Sequence, residues 1–429
     1  MRIIRIKKDN LEKRLKGIRG ASPISDRRIE MSVRRIVESV RKDGDRALFE
    51  YTKRFDKVGL SPRTVRVSDK EIQNAEARVS DEIKSDLALA AERIRDYHER
   101  KLPHERTFTD SLGNELGWVL RPIQRVGIYV PGGKAAYPST VLMTVIPAKI
   151  AGVEEVFLVT PCPNGEINPT VLVAAYIAGA NAIYKIGGAQ AIAALAFGTR
   201  SIPKVDKIVG PGNIYVTIAK KLVFGFVDID MIAGPSEVLV ISDGSVPAKW
   251  IASDLLAQSE HDEMAVPILV TNSAQFAKDV NQEVSKRLRS LQKRNIAGEA
   301  MRNWGRIFVV DTLDEAVFVS NAIAPEHLEL CVENPKALLS KVKHAGAIFL
   351  GSMSTEAFGD YIAGPSHVLP TGGAARFSSP LSVYDFLRMP SVISISEGGF
   401  RELADSVMNF AYSEGLEAHA LSVKVRLEE

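Results

Sequence analysis

Cysteine is nearly absent from this chain: Cys162 and Cys331 are the only two among 429 residues, and nothing like a CxxC pair exists. That excludes a disulfide scaffold and a cysteine-rich metal module, and it fits a reducing, cytoplasmic setting. Charge of one sign is also missing. A net charge of +3 leaves no basic field of the kind that nucleic acid requires. No uninterrupted apolar run reaches the length of a membrane span, and the N-terminus lacks the apolar core of a signal peptide. Neither a nucleic acid nor a membrane is expected as partner. The stretch Met1 to Lys16 is basic and amphipathic, which suits a solvated helical arm on a partner subunit better than RNA or lipid contact. The G-x-G-x-x-G dinucleotide fingerprint is absent too, so any dinucleotide here is held in another way.

What is present is ordinary in bulk and specific in detail. The hydrophobic fraction is 45% and the charged fraction 25%, and 429 residues exceed one core of usual size, so at least two domains are expected. Residues 29 to 102 are helical in pattern and rich in charge. From Arg125 onward short apolar runs alternate with helix-period segments. Strands are expected at 126–130, 156–160, 182–186 and 207–209, with helices at 138–151, 169–179, 189–198 and 214–224 between them. After Trp250 the style repeats, with strands at 266–270, 307–310 and 347–350. Such alternation predicts parallel sheets with helices on both faces.

One echo links the two regions. Ile232-Ala233-Gly234-Pro235-Ser236-Glu237-Val238-Leu239 and Ile362-Ala363-Gly364-Pro365-Ser366-His367-Val368-Leu369 agree at seven of eight positions. Duplication and a convergent turn design both account for it. The helix expected from Gly399 to Glu417 follows Pro380 in a tail too short to bury its own apolar face, so docking on a second subunit is plausible.

The candidate chemistry lies in scattered segments. Gln258-Ser259-Glu260-His261 places an amide and an imidazole three apart, on one helix face. Asp360 and His419 would complete an N/O donor set that zinc accepts. Each alone is a surface group as easily as a ligand. Ala324-Pro325-Glu326-His327 puts an acid beside an imidazole, either a base pair or a capping carboxylate next to a satisfied histidine, and Pro325 suggests that a helix starts there. Gly359-Asp360-Tyr361 and Gly364-Pro365-Ser366-His367 gather a carboxylate, a hydroxyl and an imidazole in one glycine-rich loop. Pro131-Gly132-Gly133, Gly187-Gly188-Ala189-Gln190 and Gly210-Pro211-Gly212-Asn213 each join a strand to a helix, where free N–H groups suit phosphate. Cys331 sits in a run with the look of element interior, and it reads as a small buried hydrophobe, not a nucleophile.

Taken together and in this order, these segments resemble the histidinol dehydrogenase family. The likeness is carried by 126–133, 187–198, 210–213, 233–237, 258–261, 324–329, 359–361 and Glu414-Gly415-Leu416-Glu417-Ala418-His419. It implies an α/β protein of two related Rossmann-like parallel-sheet domains in an aldehyde-dehydrogenase-like arrangement, with small N- and C-terminal helical segments. The expected division is an N-terminal helical arm (1–24), a first segment of the larger domain (25–127), a second α/β domain (128–236), the remainder of the larger domain (237–380) and a C-terminal segment (381–429). The resemblance further implies oxidation of L-histidinol to L-histidine through histidinaldehyde, with two NAD used in turn and one zinc per subunit. By it, Gln258, His261, Asp360 and His419 hold the metal. Tyr129, Gln190 and Asn213 contact NAD, while Ser236, His327, His367 and Glu414 approach the substrate together with the metal-binding residues. His327 and Glu326 are the catalytic bases, and a homodimer shares its active sites. Two rivals need no such reaction: a zinc hydrolase using Glu326 on a metal-bound water, and a non-catalytic metal or amino-acid binder.

Overall fold

The computed structural model describes residues 1–6, 26–132 and 136–428. Its strands are β1 (Arg2–Arg5), β2 (Arg106–Thr109), β3 (Glu115–Trp118), β4 (Arg121–Pro122), β5 (Arg125–Tyr129), β6 (Glu155–Val159), β7 (Ala182–Tyr184), β8 (Lys207–Val209), β9 (Asp228–Ile229), β10 (Glu237–Ser242), β11 (Val266–Thr271), β12 (Arg306–Val309), β13 (His327–Cys331), β14 (Ala347–Leu350), β15 (Leu387–Arg388) and β16 (Ser391–Ser394). Two parallel sheets dominate. One runs β7-β6-β5-β8-β9 and the other β1-β12-β11-β10-β13-β14. Counted within each run of five, both follow the order third, second, first, fourth, fifth, with β1 added at the edge of the second. This is the order of a doubly wound nucleotide-binding fold without its sixth strand. The central strands are apolar on both faces, as helices on both sides of a parallel sheet require.

Four expectations are corrected. Arg2–Arg5 is a parallel edge strand on β12, not helix, and the rest of the expected arm, residues 7–25, lies outside the described residues. The helices of residues 27–99 cover the five-stranded sheet and not the larger one. Val33, Ile36 and Val40 pack with Ile192, Leu195 and Ile218, while Leu87, Ala90 and Ile94 pack with Val141, Leu142 and Val145. The boundary expected at 127/128 also cuts β5, because pairing with β6 and β8 begins before it. Finally, the C-terminal helix breaks at Gly415, in a left-handed φ of 73°, into Glu397–Ser413 and Glu417–Leu427.

The echoed segments are unlike in structure. The first leads directly into β10, whereas the second stays irregular from Ser366 to Pro370, and only its glycine, Gly364, has a positive φ, at 112°. The turn chemistry recurs without a repeated fold. Among the described residues no helix is long and apolar enough to cross a membrane.

His98 shows the cost of burial plainly. It is fully buried, neither ring nitrogen meets a hydrogen-bond partner among the described residues, and burial followed by the Lys101 charge lowers its pKa to about 4. The unfolded chain therefore binds this proton more readily, and stability is lost as pH falls from the unfolded value of 6.5 toward 4. His98→Leu is expected to reduce the difference in unfolding free energy between pH 8 and pH 5 by about 2 kcal/mol in urea titrations at the two pH values. An unchanged difference would show that His98 is already charged in the fold.

Candidate active site

The acid–base pair sits at the amino end of β13, not at the start of a helix. Ala324 closes the helix Leu313–Ile323 in a left-handed conformation, φ 55°, and the chain turns straight into a strand buried on both faces. Pro325 does keep Ala324 from helical geometry, but extended backbone follows it. In β13 the register sets His327 opposite Val238 of β10. Two backbone contacts to Glu237 then fix the pair. The Glu237 N–H donates to Glu326 Oε2 at 2.8 Å, and His327 Nδ1–H donates to the Glu237 carbonyl oxygen at 3.1 Å. That bond commits the imidazole to one tautomer. His327 Nε2 is left as a buried acceptor with no hydrogen-bond partner among the described residues, 3.8 Å from Asp360 Oδ1. Burial lowers the His327 pKa to about 4, against the opposing pull of Asp360, so the ring is neutral near pH 7 and able to accept a proton. Burial also pushes Glu326 well above the usual carboxylate range, helped by Glu237 and Asp360 and opposed by the backbone N–H.

Next to this pair, donor atoms of His261, Glu356 and Asp360 lie within 4.8 Å of one another. Gln258 closes the helix Ala248–Ser259, fully buried, and its amide lies between the Glu356 carboxylate and the Glu237 N–H. With its oxygen 3.1 Å from that N–H, its NH2 donates to Glu356 and the chain satisfies itself. Turned over, the amide would bring its oxygen against the Glu356 carboxylate, which also neighbours Asp360 and His261, an assembly that a bound cation would satisfy. Three of the four expected metal residues thus meet, in an N/O set that suits zinc. The fourth, His419, does not join them in this chain: it is exposed on Glu417–Leu427, and Glu414 is exposed at the end of the preceding helix.

His367 bridges the two sheets' territories. Its Nδ1–H donates to the Asp360 carbonyl oxygen at 3.0 Å, and Nε2 accepts from the Thr140 hydroxyl at 3.0 Å. With both nitrogens in use it orients the Asp360 turn against the helix Pro138–Ile150. Ser236 lies on the turn entering β10, where its carbonyl accepts from Val266 N–H at 2.9 Å.

The glycine turns gather at the carboxyl ends of β5, β7 and β8, where open α/β sheets take ligands. The buried Tyr129 hydroxyl accepts from Gly188 N–H at 3.1 Å, and burial pushes its pKa up to about 12. Gly210 has φ 110°, and a Cβ there would strike the Tyr129 carbonyl. Gln190 Oε1 is buried and has no partner among the described residues, an acceptor that a ligand's hydroxyl or amide could satisfy. Asn213 is exposed and caps Ile214–Val223 through its Oδ1, bound by the N–H groups of Tyr215 and Val216 at 3.0 and 3.2 Å. Lys220 and Asp230, a buried ion pair, brace the same turn from behind by bonding the Gly210 carbonyl and N–H. Gly133 lies outside the described residues.

The model of the family described as histidinol dehydrogenase matches residues 21–427. This chain belongs to the histidinol dehydrogenase family. It is 55% identical to a histidinol dehydrogenase of Syntrophotalea carbinolica over 401 residues, 94% of this chain and 93% of that protein. With that of Aquifex aeolicus the identity is 51% over 428 residues, 99% of each. The crystal structure of histidinol dehydrogenase from Elizabethkingia anophelis superposes with a TM-score of 0.95 at 38% identity, covering 100% of this chain and 98% of that one. Membership of an oxidoreductase family sets aside the hydrolase and the inert binder. It also gives the residues that sequence patterns missed a setting. Glu356 looks like an ordinary acid in a helix's first turn, and Glu237 like a polar residue starting a strand. Thr140 carries no sequence signal at all inside its apolar helix.

Proposed function

We propose that the chain oxidises L-histidinol to L-histidine through histidinaldehyde, using two NAD, as the last step of histidine biosynthesis in the cytoplasm. The observation that carries this reading is His327 Nε2, a neutral, buried and unpartnered acceptor held in one tautomer beside the Gln258, His261 and Asp360 donors. Bound there, zinc would hold the substrate's nitrogens and offset the carboxylate charge around Glu326, while NAD would accept the hydride in each half-reaction. His327 takes the hydroxyl proton of the alcohol on Nε2. Glu326, steadied at Oε2 by the Glu237 N–H, deprotonates the water that adds to the aldehyde. Gln258, His261 and Asp360, with His419 of the partner subunit, would hold the metal. Tyr129, Gln190 and Asn213 line the NAD site, the orphaned Gln190 Oε1 being the feature that most favours a ligand there. Ser236, His367 and Glu414 border the substrate. The exposed Glu414 and His419 support a homodimer in which each tail completes the other subunit's site.

NADH absorbance with L-histidinol tests the reading, and no reduction of NAD would overturn it. Chelation is expected to abolish that activity while circular dichroism and the unfolding transition stay nearly unchanged. The donors sit on elements whose apolar cores close without metal, unlike a zinc finger. Cooperative unfolding on metal removal would contradict this.

A further inference from the structure

Glu329 is a charged residue type where none is expected. It lies in β13, two residues beyond His327 on the same face of the strand, and is fully buried. Its Oε1 accepts from the Glu356 N–H at 2.8 Å. Glu356 opens the short helix that carries Asp360, and Thr355 before it supplies no side-chain cap, so Glu329 satisfies this first-turn donor from another element. Glu329 Oε2 meets no N–H or hydroxyl. The carboxyl of Asp254 stands beside it, near enough for its charge to push the Glu329 pKa further up. Asp254 stands one turn before Gln258 on the same helix face. Burial pushes the pKa of both carboxyls upward, which favours a proton held between two such neighbours.

We propose that Glu329, paired with Asp254, is a positioning residue that ties together the three elements bearing Gln258, His327 and Asp360. The proposal rests on the reading of that cluster as a metal and substrate site. Among the described residues Glu329 makes no hydrogen bond to the side chains of Gln258, His327 or Asp360. It acts through the Glu356 N–H on one side and through Asp254 on the other, so that the strand carrying the base and the two helices carrying the donors keep one mutual placement. Glutamine preserves the acceptor for Glu356 N–H and can donate to Asp254, whereas leucine of similar size removes both contacts.

The test compares wild type, Glu329→Gln and Glu329→Leu as full-length protein. Zinc affinity, measured by competition with a chromogenic chelator, is expected to fall about 10- to 100-fold in Glu329→Leu. Glu329→Gln is expected to keep it within about threefold. Hydrogen exchange in metal-free protein is expected to quicken at residues 356–361 in the leucine variant alone, while exchange in the sheet cores stays as in wild type. Unchanged exchange at 356–361 in Glu329→Leu, or glutamine behaving as badly as leucine, overturns the proposal. A wild type that takes up no zinc sinks the metal reading instead, and the exchange comparison still decides the positioning.

Discussion

Glu326→Gln is expected to spare oxidation of histidinol to the aldehyde and to slow oxidation of the aldehyde by roughly 100- to 10,000-fold, the loss usual for one positioned base. The substitution is mild to the structure. A glutamine carbonyl can accept from the Glu237 N–H as Glu326 Oε2 does, and the neighbouring His327–Glu237 contact is untouched. What disappears is the ability to take a proton from water. In the proposed division of roles the first half-reaction does not need that, because there the alcohol's proton goes to His327 Nε2. The second does, because the aldehyde has no hydride to give until water has added to it. The two steps are measured separately by supplying histidinol or histidinaldehyde and following NADH. Equal losses in both would mean that Glu326 serves the alcohol step as well, or that it acts only by holding His327.

Much of this site was legible in the sequence, for chemical reasons. A Gln-x-x-His at a helix end, an acid beside an imidazole, and a carboxylate in a glycine-rich loop are rare enough that their coincidence pointed to one centre, and Gln258, His261, Asp360, Glu326 and His327 do meet. The alternation of strands and helices from Arg125 was equally readable, since period and apolar content are local properties. The errors share a physical origin in non-local pairing. Arg2–Arg5 is a strand because β12 supplies its hydrogen bonds from 300 residues away, and nothing in Arg-Ile-Ile-Arg demands it. The start of β13 looked like a helix start because proline followed by acid is a common opening turn, while the partner that overrides this, β10, is about 90 residues earlier. The helices of 27–99 show which face is apolar but not which sheet will receive it. Glu329 and Glu356 escaped notice for a related reason: a buried carboxylate is visible only once burial is known. In retrospect one signal existed, the acid within His327-Leu328-Glu329-Leu330-Cys331, a charged group inside a run whose neighbours all belong to a core.

The largest expected effect concerns the tail. The helices Glu397–Ser413 and Glu417–Leu427 pack mainly against each other, and they leave Val407, Phe410 and Leu421 exposed, Phe410 at 71%. The same stretch carries Glu414 and His419, both open to solvent and apart from the cluster of His261, Glu356 and Asp360. If the tail of one subunit completes the site of the other, His419→Ala and Glu326→Gln are each nearly inactive toward histidinaldehyde as homodimers. Subunit exchange between them produces a heterodimer with both lesions in one site and neither in the other. At equal mixing, half of the dimers are of this kind, so about a quarter of the wild-type activity per site is expected to return. Histidinaldehyde is the substrate to use, because Glu326→Gln retains the alcohol step and would blur the contrast with histidinol. Native mass spectrometry of the mixture confirms that exchange has occurred. Should the tail fold back onto its own chain, every site keeps one lesion, and no activity returns however complete the exchange.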